Sequence, residues 1–236
     1  MTTTSTEANR AYFDKLASEY EAKPWQKAMS SMITRNIHER RDWLGLADNP
    51  EQKEVRLLDY ACGTGLVSRA LWPRITASRG IDLSTNMVQV FNSRAESAGL
   101  TPEQMNAVQG DLLSKEEQPH LSDPSLFNFD VAAVGLGFHH FEDVIEATKQ
   151  LAARLKPGGV FFIVDFVNDR EREVPHGWQG VITINGFNES GMRKLFEEAG
   201  LVDFGFSVFD EQAEMYFNDQ KQLRTVFMAK GMRPLQ

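Results

Sequence analysis

Residues 55–65 read Val-Arg-Leu-Leu-Asp-Tyr-Ala-Cys-Gly-Thr-Gly, and they carry the clearest structural signal in the chain. Its first half, Val55 to Tyr60, is a short apolar run closed by turn residues, which is typical of a fully buried strand. Glycines at 63 and 65 let the backbone turn sharply and let a ligand approach closely. Apolar residues then recur at helical spacing. The predicted unit is strand, glycine loop and helix, the nucleotide-binding corner of a doubly wound α/β sheet.

The charge beside this loop indicates which nucleotide it binds. A dinucleotide loop reads G-x-G-x-x-G and places a pyrophosphate on the helix N-terminus, whereas here Ser68 stands at the third glycine position. Asp59 lies at the carboxyl end of the strand, where a carboxylate would repel a pyrophosphate and attract an ammonium group. S-adenosylmethionine (SAM) carries a nucleoside, an α-ammonium and a sulfonium, and no phosphate. The charge therefore favours SAM over NAD.

The same segment resembles motif I of the class I SAM-dependent methyltransferases, an acidic residue followed by alternating glycines. Asp59, Gly63 and Gly65 match that motif, and Ala61 replaces its first glycine. We expect the alanine to be tolerated if the backbone there has a negative φ. The stretch from Tyr12 to Tyr20 is similar to the opening segment of the ubiquinone/menaquinone C-methyltransferase-like group.

Acidic residues also follow the next two predicted strands. Asp82 lies about 20 residues after the glycine loop, where a carboxylate accepts hydrogen bonds from ribose hydroxyls. The resemblance implies that Asp111 takes the adenine amino group and that the backbone amide of Leu112 meets a ring nitrogen. It also implies cofactor contacts from Tyr20, Leu83, Met87 and Gly135. Three acidic residues at the ends of consecutive strands are a far more specific signal of a SAM site than any one of them alone.

The predicted fold is a seven-stranded Rossmann-like methyltransferase sheet, mostly parallel with an antiparallel last strand. Predicted strands cover 55–60, 78–81, 105–109, 129–134, 160–165, 204–208 and 222–229, and residues 156–159 are expected to turn the chain into the fifth. By domain we expect a disordered tail at 1–8, an N-terminal helical lid at 9–46 and a SAM-binding core at 47–236.

Candidate catalytic residues follow the fourth strand, at the edge where the resemblance implies that the methyl group points. His139 and His140 are the predicted general bases, because imidazole titrates near neutral pH. A base is needed only if the acceptor arrives protonated, and one histidine could instead hold the loop in place. Trp25, His176 and Trp178 are predicted substrate contacts. Tyr20 and Trp25 could equally be aromatic residues that pack the lid on the sheet.

Composition excludes several classes of protein. The 236 residues carry a net charge of -8, which argues against a general nucleic-acid-binding surface. One cysteine allows no internal disulfide and fits a reducing compartment, so we expect a cytoplasmic protein, with a nuclear location left open. The longest apolar runs are too short to span a membrane, and the Thr-rich start lacks the apolar core of a secretory signal. Apart from the adjacent His139-His140 pair, no metal-ligand spacing is visible.

The favoured function is a SAM-dependent methyltransferase acting on a small-molecule acceptor by direct SN2 displacement. Two alternatives stay open: a protein methyltransferase or regulatory methyltransferase subunit, and, less favoured, an NAD-dependent oxidoreductase on a related sheet. The acceptor, the atom that is methylated, a protein partner and a homodimer also stay open at this point.

Overall fold

A computed structural model describes residues 5–46, 54–72, 74–168, 181–217 and 220–236. The helices are α1 (Ser5–Leu16), α2 (Pro24–Glu39), α3 (Leu66–Leu71), α4 (Thr85–Ser97), α5 (Val144–Arg154) and α6 (Glu189–Glu198). The strands are β1 (Arg56–Tyr60), β2 (Ala77–Asp82), β3 (Met105–Gln109), β4 (Phe129–Gly135), β5 (Leu155–Phe166), β6 (Val202–Phe217) and β7 (Gln220–Met232). None of these helices is both long and apolar enough to cross a lipid bilayer.

The strands form one seven-stranded sheet in the order β3-β2-β1-β4-β5-β7-β6. Strands β1 to β5 pair in parallel, and β7 runs antiparallel between β5 and β6. The order reverses between β1 and β4, and in doubly wound sheets ligands bind at such a switch point, outside the carboxyl ends of the strands. The predicted fold class is confirmed.

The sheet is buried on both faces, as the apolar strand sequences require. Successive side chains of a strand point to opposite faces. Leu57 therefore packs in the cluster under α2 and α3, whereas Leu58 packs in the cluster under α5 and α6. Both are fully buried, and each such leucine stabilises the fold by about 1.5–3 kcal/mol. Packing in these two clusters fixes the positions of the strand ends, and so positions the site.

The N-terminal tail is shorter than predicted. Helix α1 begins at Ser5, so residues 5–8 are helical rather than disordered, while residues 1–4 lie outside the described residues. The physical reason is tertiary contact, which orders chain termini. The Ser5 hydroxyl lies 3.3 Å from the Thr183 hydroxyl, and Asn9, one turn on, donates its amide to the carbonyl of His140.

Two strand boundaries also differ from the prediction. Strand β5 begins at Leu155 rather than after Gly159, because Leu155 pairs with Phe129 before the register shifts. Within the predicted turn, the Gly158 N–H donates to the carbonyl of Arg233. Strands β6 and β7 extend well beyond the predicted ranges, with a register shift between Val208 and Gln212. We call residues 212–217 and 220–225 the outer hairpin.

Candidate cofactor and acceptor site

A cavity of about 950 Å³ opens at the carboxyl edge of β1 to β4. The predicted residues that line it are Tyr20, Trp25, Ala61, Gly63, Asp82, Leu83, Met87, Asp111, Leu112, Gly135, His139 and His140. Asp59 and Gly65 are not among its lining residues, and His176 and Trp178 lie outside the described part of the chain. The structure thus brings most of the predicted site together around one space.

Asp59 lies behind the cavity wall rather than on it. The structure therefore does not place this carboxylate in direct contact with a cofactor ammonium. The side chain is 1% exposed and points to the α3 side of the sheet. Its Oδ2 accepts the Ser68 backbone N–H at 3.1 Å and the Ser68 hydroxyl at 2.6 Å. Burial raises the pKa of Asp59 to about 7, although both hydrogen bonds from Ser68 oppose that effect. Asp59 therefore anchors the start of α3.

Ala61 and Gly65 both differ from the sequence prediction. Ala61 differs in its backbone conformation, and Gly65 differs in lying away from the cavity. Ala61 has φ +53°, so the condition of a negative φ is not met and the alanine occupies the left-handed region that favours glycine. Gly65 has φ +88°, and a Cβ there would lie 2.8 Å from the Phe91 ring. Gly65 thus allows α3 and α4 to pack closely, while Ala61 and Gly63 face the cavity.

Asp82 stands at the end of β2 and fastens the glycine loop. One carboxylate oxygen accepts the Gly63 N–H at 2.7 Å, and the other accepts the Ser84 N–H at 2.8 Å. Each oxygen has a second lone pair and can accept a further hydrogen bond. Burial raises the pKa of Asp82 to about 6, so the group is mostly ionised at neutral pH and can accept from hydroxyl donors in the cavity.

Asp111 lies in a small network with Tyr60. The Tyr60 hydroxyl donates to Asp111 Oδ1 at 3.2 Å, and the Leu113 N–H donates to the same oxygen at 2.9 Å. The Leu112 N–H, expected to meet an adenine ring nitrogen, donates to the Tyr60 hydroxyl at 3.2 Å. Tyr60 therefore orients both groups that the resemblance assigns to adenine.

His139 forms a buried pair with Asp165 at the end of β5. The His139 ring Nδ1 lies 2.8 Å from Asp165 Oδ1, and the backbone N–H of His139 donates to Oδ2 at 3.1 Å. The His139 side chain is 8% exposed and that of Asp165 is fully buried. A carboxylate that accepts a hydrogen bond from Nδ1–H keeps the proton of the neutral imidazole on Nδ1 and leaves its lone pair on Nε2. This is the arrangement of a positioned general base.

His140 is built differently from its neighbour. Its Nδ1 donates to the Val181 carbonyl at 2.7 Å, and its ring centroid lies 4.0 Å from that of His139. Burial, together with the neighbouring His139, lowers the pKa of His140 to about 3. A group with that pKa stays neutral at physiological pH and is a poor proton acceptor. Of the two predicted bases, the geometry favours His139.

The N-terminal segment is clamped over the cavity by Glu21. This carboxylate accepts hydrogen bonds from the Ser30 hydroxyl at 2.7 Å, from the Thr64 hydroxyl and from the guanidinium groups of Arg69 and Arg94. Burial alone would raise the pKa of Glu21, but these donors outweigh burial and lower it. Next to it, burial raises the pKa of Tyr20 to about 12, so its hydroxyl stays a donor.

Part of the cavity wall is formed by residues outside the predicted cofactor set, and we call this part the acceptor lobe. It is lined by Trp25, Met29, Phe166, Ile182, Ile184, Asn185, Met215, Tyr216, Gln222 and Arg224. The last four belong to the outer hairpin, so this part of the cavity depends on the extension of β6 and β7 that the sequence did not reveal.

Three functional residues escaped the sequence analysis. Asp165 ends a predicted strand, and Asp59, Asp82 and Asp111 lie close to the ends of theirs, so that position was a usable signal. Tyr60 follows Asp59 and so faces the opposite side of the sheet, which alternation alone predicts. Glu21 gave no signal, since three of its partners, Thr64, Arg69 and Arg94, come from distant parts of the chain. Among the described residues, no group of three or more His, Cys, Asp or Glu could hold a metal ion.

The lining fits an adenosine cofactor with a positive charge. Asp82 and Asp111 place two acceptors at neighbouring strand ends, suited to ribose hydroxyls and to an exocyclic amine. Leu83, Met87 and Leu112 supply apolar surface for a flat base beside them. At Gly63, a Cβ would meet nothing within 4 Å, so the backbone of the glycine loop stands open to a ligand. The donor and acceptor set therefore matches SAM.

Comparison with known sequences gives a family. A family model described as a methyltransferase domain matches residues 25–203. An uncharacterized methyltransferase of Schizosaccharomyces pombe is 30% identical over 180 residues, which is 72% of this chain and 61% of that protein. A demethylmenaquinone methyltransferase of Staphylococcus aureus is 25% identical over 189 residues, 67% of this chain and 72% of that protein. This chain thus spans less than two thirds of the length of the yeast relative.

Comparison with solved structures supports the fold. The magnesium protoporphyrin IX methyltransferase of Synechocystis, with bound SAM, has a TM-score of 0.62 and 16% identity, covering 98% of each chain. The [4+2]-cyclase SpnF has a TM-score of 0.64 and 18% identity, covering 100% of this chain and 98% of that one. A putative methyltransferase in complex with the Haloferax volcanii activator Trm112 has a TM-score of 0.61 and 20% identity, covering 96% and 97%.

Proposed function

Because this chain belongs to the methyltransferase-domain family of class I SAM-dependent methyltransferases, we propose that it methylates a small-molecule acceptor whose proton passes to His139. The observation that carries the proposal is the buried His139–Asp165 pair, whose histidine lines the same cavity as Asp82 and Asp111. The acceptor would lie in the lobe beyond His139, and the cofactor against β1 to β4.

The residues that would hold the cofactor are those at the strand ends. Asp82 would accept the ribose hydroxyls and Asp111 the adenine amine, while Met87 and Leu83 would pack on the base. When bound, SAM supplies the methyl group: the acceptor's nucleophile bonds to the methyl carbon as the carbon–sulfur bond breaks, leaving S-adenosylhomocysteine.

His139 would take the proton that the acceptor loses. Asp165 holds the imidazole with Nε2 as the acceptor atom, and its charge stabilises the imidazolium that forms. Because the pair is buried, this electrostatic effect is stronger than it would be in water. The cover formed by α1, Tyr20 and Glu21 would exclude water and fix the bound molecules in line, which can supply much of the acceleration.

The proposal is tested by binding and turnover measured separately. Calorimetry gives the SAM affinity, and release of S-adenosylhomocysteine reports turnover over a panel of phenols, thiols, amines and carbon acids. We expect His139→Gln and Asp165→Asn to keep the SAM affinity and to lose about 100-fold or more in kcat. His120→Gln is the matched control, since His120 is exposed in a short 3-10 helix outside the cavity lining. Normal turnover by both dyad variants would remove His139 from the mechanism.

The alternative acceptor is a protein side chain. Incubating a cell extract with the chain and with SAM labelled on its methyl group separates the two cases. Label in the low-molecular-weight fraction supports the proposal, and label confined to protein supports the alternative. The acceptor lobe, to which the outer hairpin adds Met215 and Tyr216 beside Trp25 and Phe166, offers apolar surface that favours a small molecule.

A further inference from the structure

Backbone strain is concentrated on the wall of the cavity. Among the described non-glycine residues, those with a positive φ are Glu21, Ala61, Asn128, Leu136 and Asp203. Asparagine and aspartate tolerate the left-handed region, whereas other side chains clash with the backbone there. The remaining three, Glu21, Ala61 and Leu136, all line the cavity. Such strain persists only where the surrounding structure imposes it, and it clusters at ligand sites.

The φ of +56° at Leu136 changes the face of the sheet on which this side chain lies. Side chains at the end of β4 alternate between the two faces. Ala133 belongs to the cluster under α2 and α3, and Val134 belongs to the cluster under α5 and α6. A Cβ at Gly135 would lie 2.6 Å from Val67, in the first of these clusters. Continued alternation would place Leu136 on the side of Val134, but it packs instead against the cluster under α2 and α3.

This change of face places Leu136 on the same apolar surface as four residues of the acceptor lobe. Phe166 and Met215 belong to that cluster, and Trp25 and Met29 pack against it as Leu136 does. All five residues line the cavity. Because Leu136 directly follows β4, whose end borders the proposed cofactor position, it lies where the cofactor part of the cavity meets the lobe.

The turn that holds Leu136 does not itself require a leucine. The Leu136 N–H donates to the Val164 carbonyl at 2.8 Å, a bond that any residue except proline can make. A Cβ at Gly137 would lie 2.9 Å from the Ala61 Cβ, so the turn packs closely on the glycine loop. Glycine or asparagine at position 136 would take the same backbone conformation with less strain. An apolar contact with a bound molecule accounts for the leucine where the local backbone does not.

We infer that Leu136 is a specificity-determining residue whose side chain packs against an apolar ring of the acceptor. This rests on the proposed function, since it assigns the acceptor class of the same cavity. Trp25, Phe166 and Tyr216 add aromatic surface to the lobe, and aromatic side chains pack well against a flat ring. The acceptor class is therefore a small molecule with an aromatic ring system.

Phenol and 2-naphthol are the probes for the test, because both carry one hydroxyl group and they differ in one fused ring. Each is titrated by calorimetry into the full chain saturated with S-adenosylhomocysteine. We expect the wild-type protein to bind 2-naphthol at least about 10-fold more tightly than phenol, because the second ring buries apolar surface. Leu136→Asn, which keeps the shape of the side chain, and Leu136→Gly, which removes it, should each lower this ratio at least about 4-fold, the effect of one buried methylene group.

Urea denaturation tests the strain on which the inference depends. Leu136→Ile keeps the apolar bulk, but a β-branched side chain is poorly suited to the left-handed region. The denaturation midpoint of Leu136→Ile should therefore lie below that of Leu136→Asn. At an ordinary half-buried position, isoleucine would be tolerated better than asparagine.

Leu100→Asn is the matched control for the binding experiment. Leu100 is half-buried, as Leu136 is, but it packs against the cluster between α4 and β3 and does not line the cavity. The substitution is chemically the same, so the preference for 2-naphthol should stay at the wild-type value.

Three results would each overturn the inference. They are equal binding of both probes by the wild-type protein, the wild-type ratio in both Leu136→Asn and Leu136→Gly, and a higher denaturation midpoint for Leu136→Ile than for Leu136→Asn. Failure of the proposed function is recognised separately. In that case the wild-type chain would bind no SAM or would release no S-adenosylhomocysteine with any acceptor, whatever its preference between the probes.

Discussion

Replacing Asp59 by asparagine tests how the buried motif carboxylate acts. The side chain is 1% exposed, and burial raises its pKa from the ordinary aspartate value of 3.8 to about 7. Asparagine keeps an oxygen that can accept from the Ser68 N–H and hydroxyl, and it removes the titration. The variant therefore isolates the cost of a buried negative charge at this strand end.

The sign of the pH dependence of stability follows from the number of protons that the folded and the unfolded chain bind. A carboxyl group whose pKa is higher in the folded than in the unfolded chain binds more protons when folded, so stability falls as pH rises. The loss begins above the unfolded pKa near 4 and is complete above the folded pKa near 7. One pKa unit corresponds to about 1.4 kcal/mol, so the full cost is on the order of 4 kcal/mol. Between pH 5 and pH 8 the ionisation of Asp59 lowers the free energy of unfolding by about 3 kcal/mol.

Urea denaturation at pH 5 and at pH 8 measures this difference. We expect the wild-type protein to lose stability between these pH values, and Asp59→Asn to lose about 3 kcal/mol less. Asp123→Asn is the control, because Asp123 is exposed and hydrogen bonds from Ser125 lower its pKa, so it does not titrate in this range. The same pH dependence of stability in the wild-type protein and in Asp59→Asn would show that the Asp59 carboxyl does not titrate in this range.

Three further predictions concern the cavity. Asp82→Asn should lower the SAM affinity at least about 10-fold in calorimetry, because an amide cannot accept on both sides; unchanged affinity would contradict this role. Glu21→Gln should speed SAM release about 10-fold in stopped-flow experiments by weakening the clamp, whereas Glu211→Gln, which breaks an exposed ion pair between β6 and α2, should not. Tyr60→Phe should reduce the free energy of unfolding by about 1–3 kcal/mol, because the Leu112 N–H and the Asp111 carboxylate each lose a hydrogen-bond partner. A denaturation midpoint equal to that of the wild-type protein would argue against this.

The sequence predicted the sheet well because apolar runs and glycine turns are local signals. The strand-end positions of Asp82 and Asp111 followed from the same signals. A place at the end of a strand, however, does not by itself tell which face of the sheet a side chain lies on. Asp59 shares the face of Leu57, toward α3, so it meets Ser68 instead of the cavity.

Parts of the site that depend on distant contacts could not be read from local patterns. Asp165 reaches His139 because β4 and β5 pair in register, with Gly135 beside Val164. The outer hairpin was missed because charged residues such as Glu214 alternate with buried Ala213 and Met215, and the polar side obscured the strand pattern. The left-handed backbone of Ala61 is likewise imposed by the surrounding loop, not by the residue type.

A crystal structure of the chain with S-adenosylhomocysteine would show whether the strand ends form the cofactor site. We expect the ribose to lie against Asp82, the adenine between Asp111 and Met87, and the sulfur to face the side of the cavity that holds His139. Adenosine bound elsewhere on the chain, or a sulfur atom pointing away from His139 and the acceptor lobe, would contradict the proposed site.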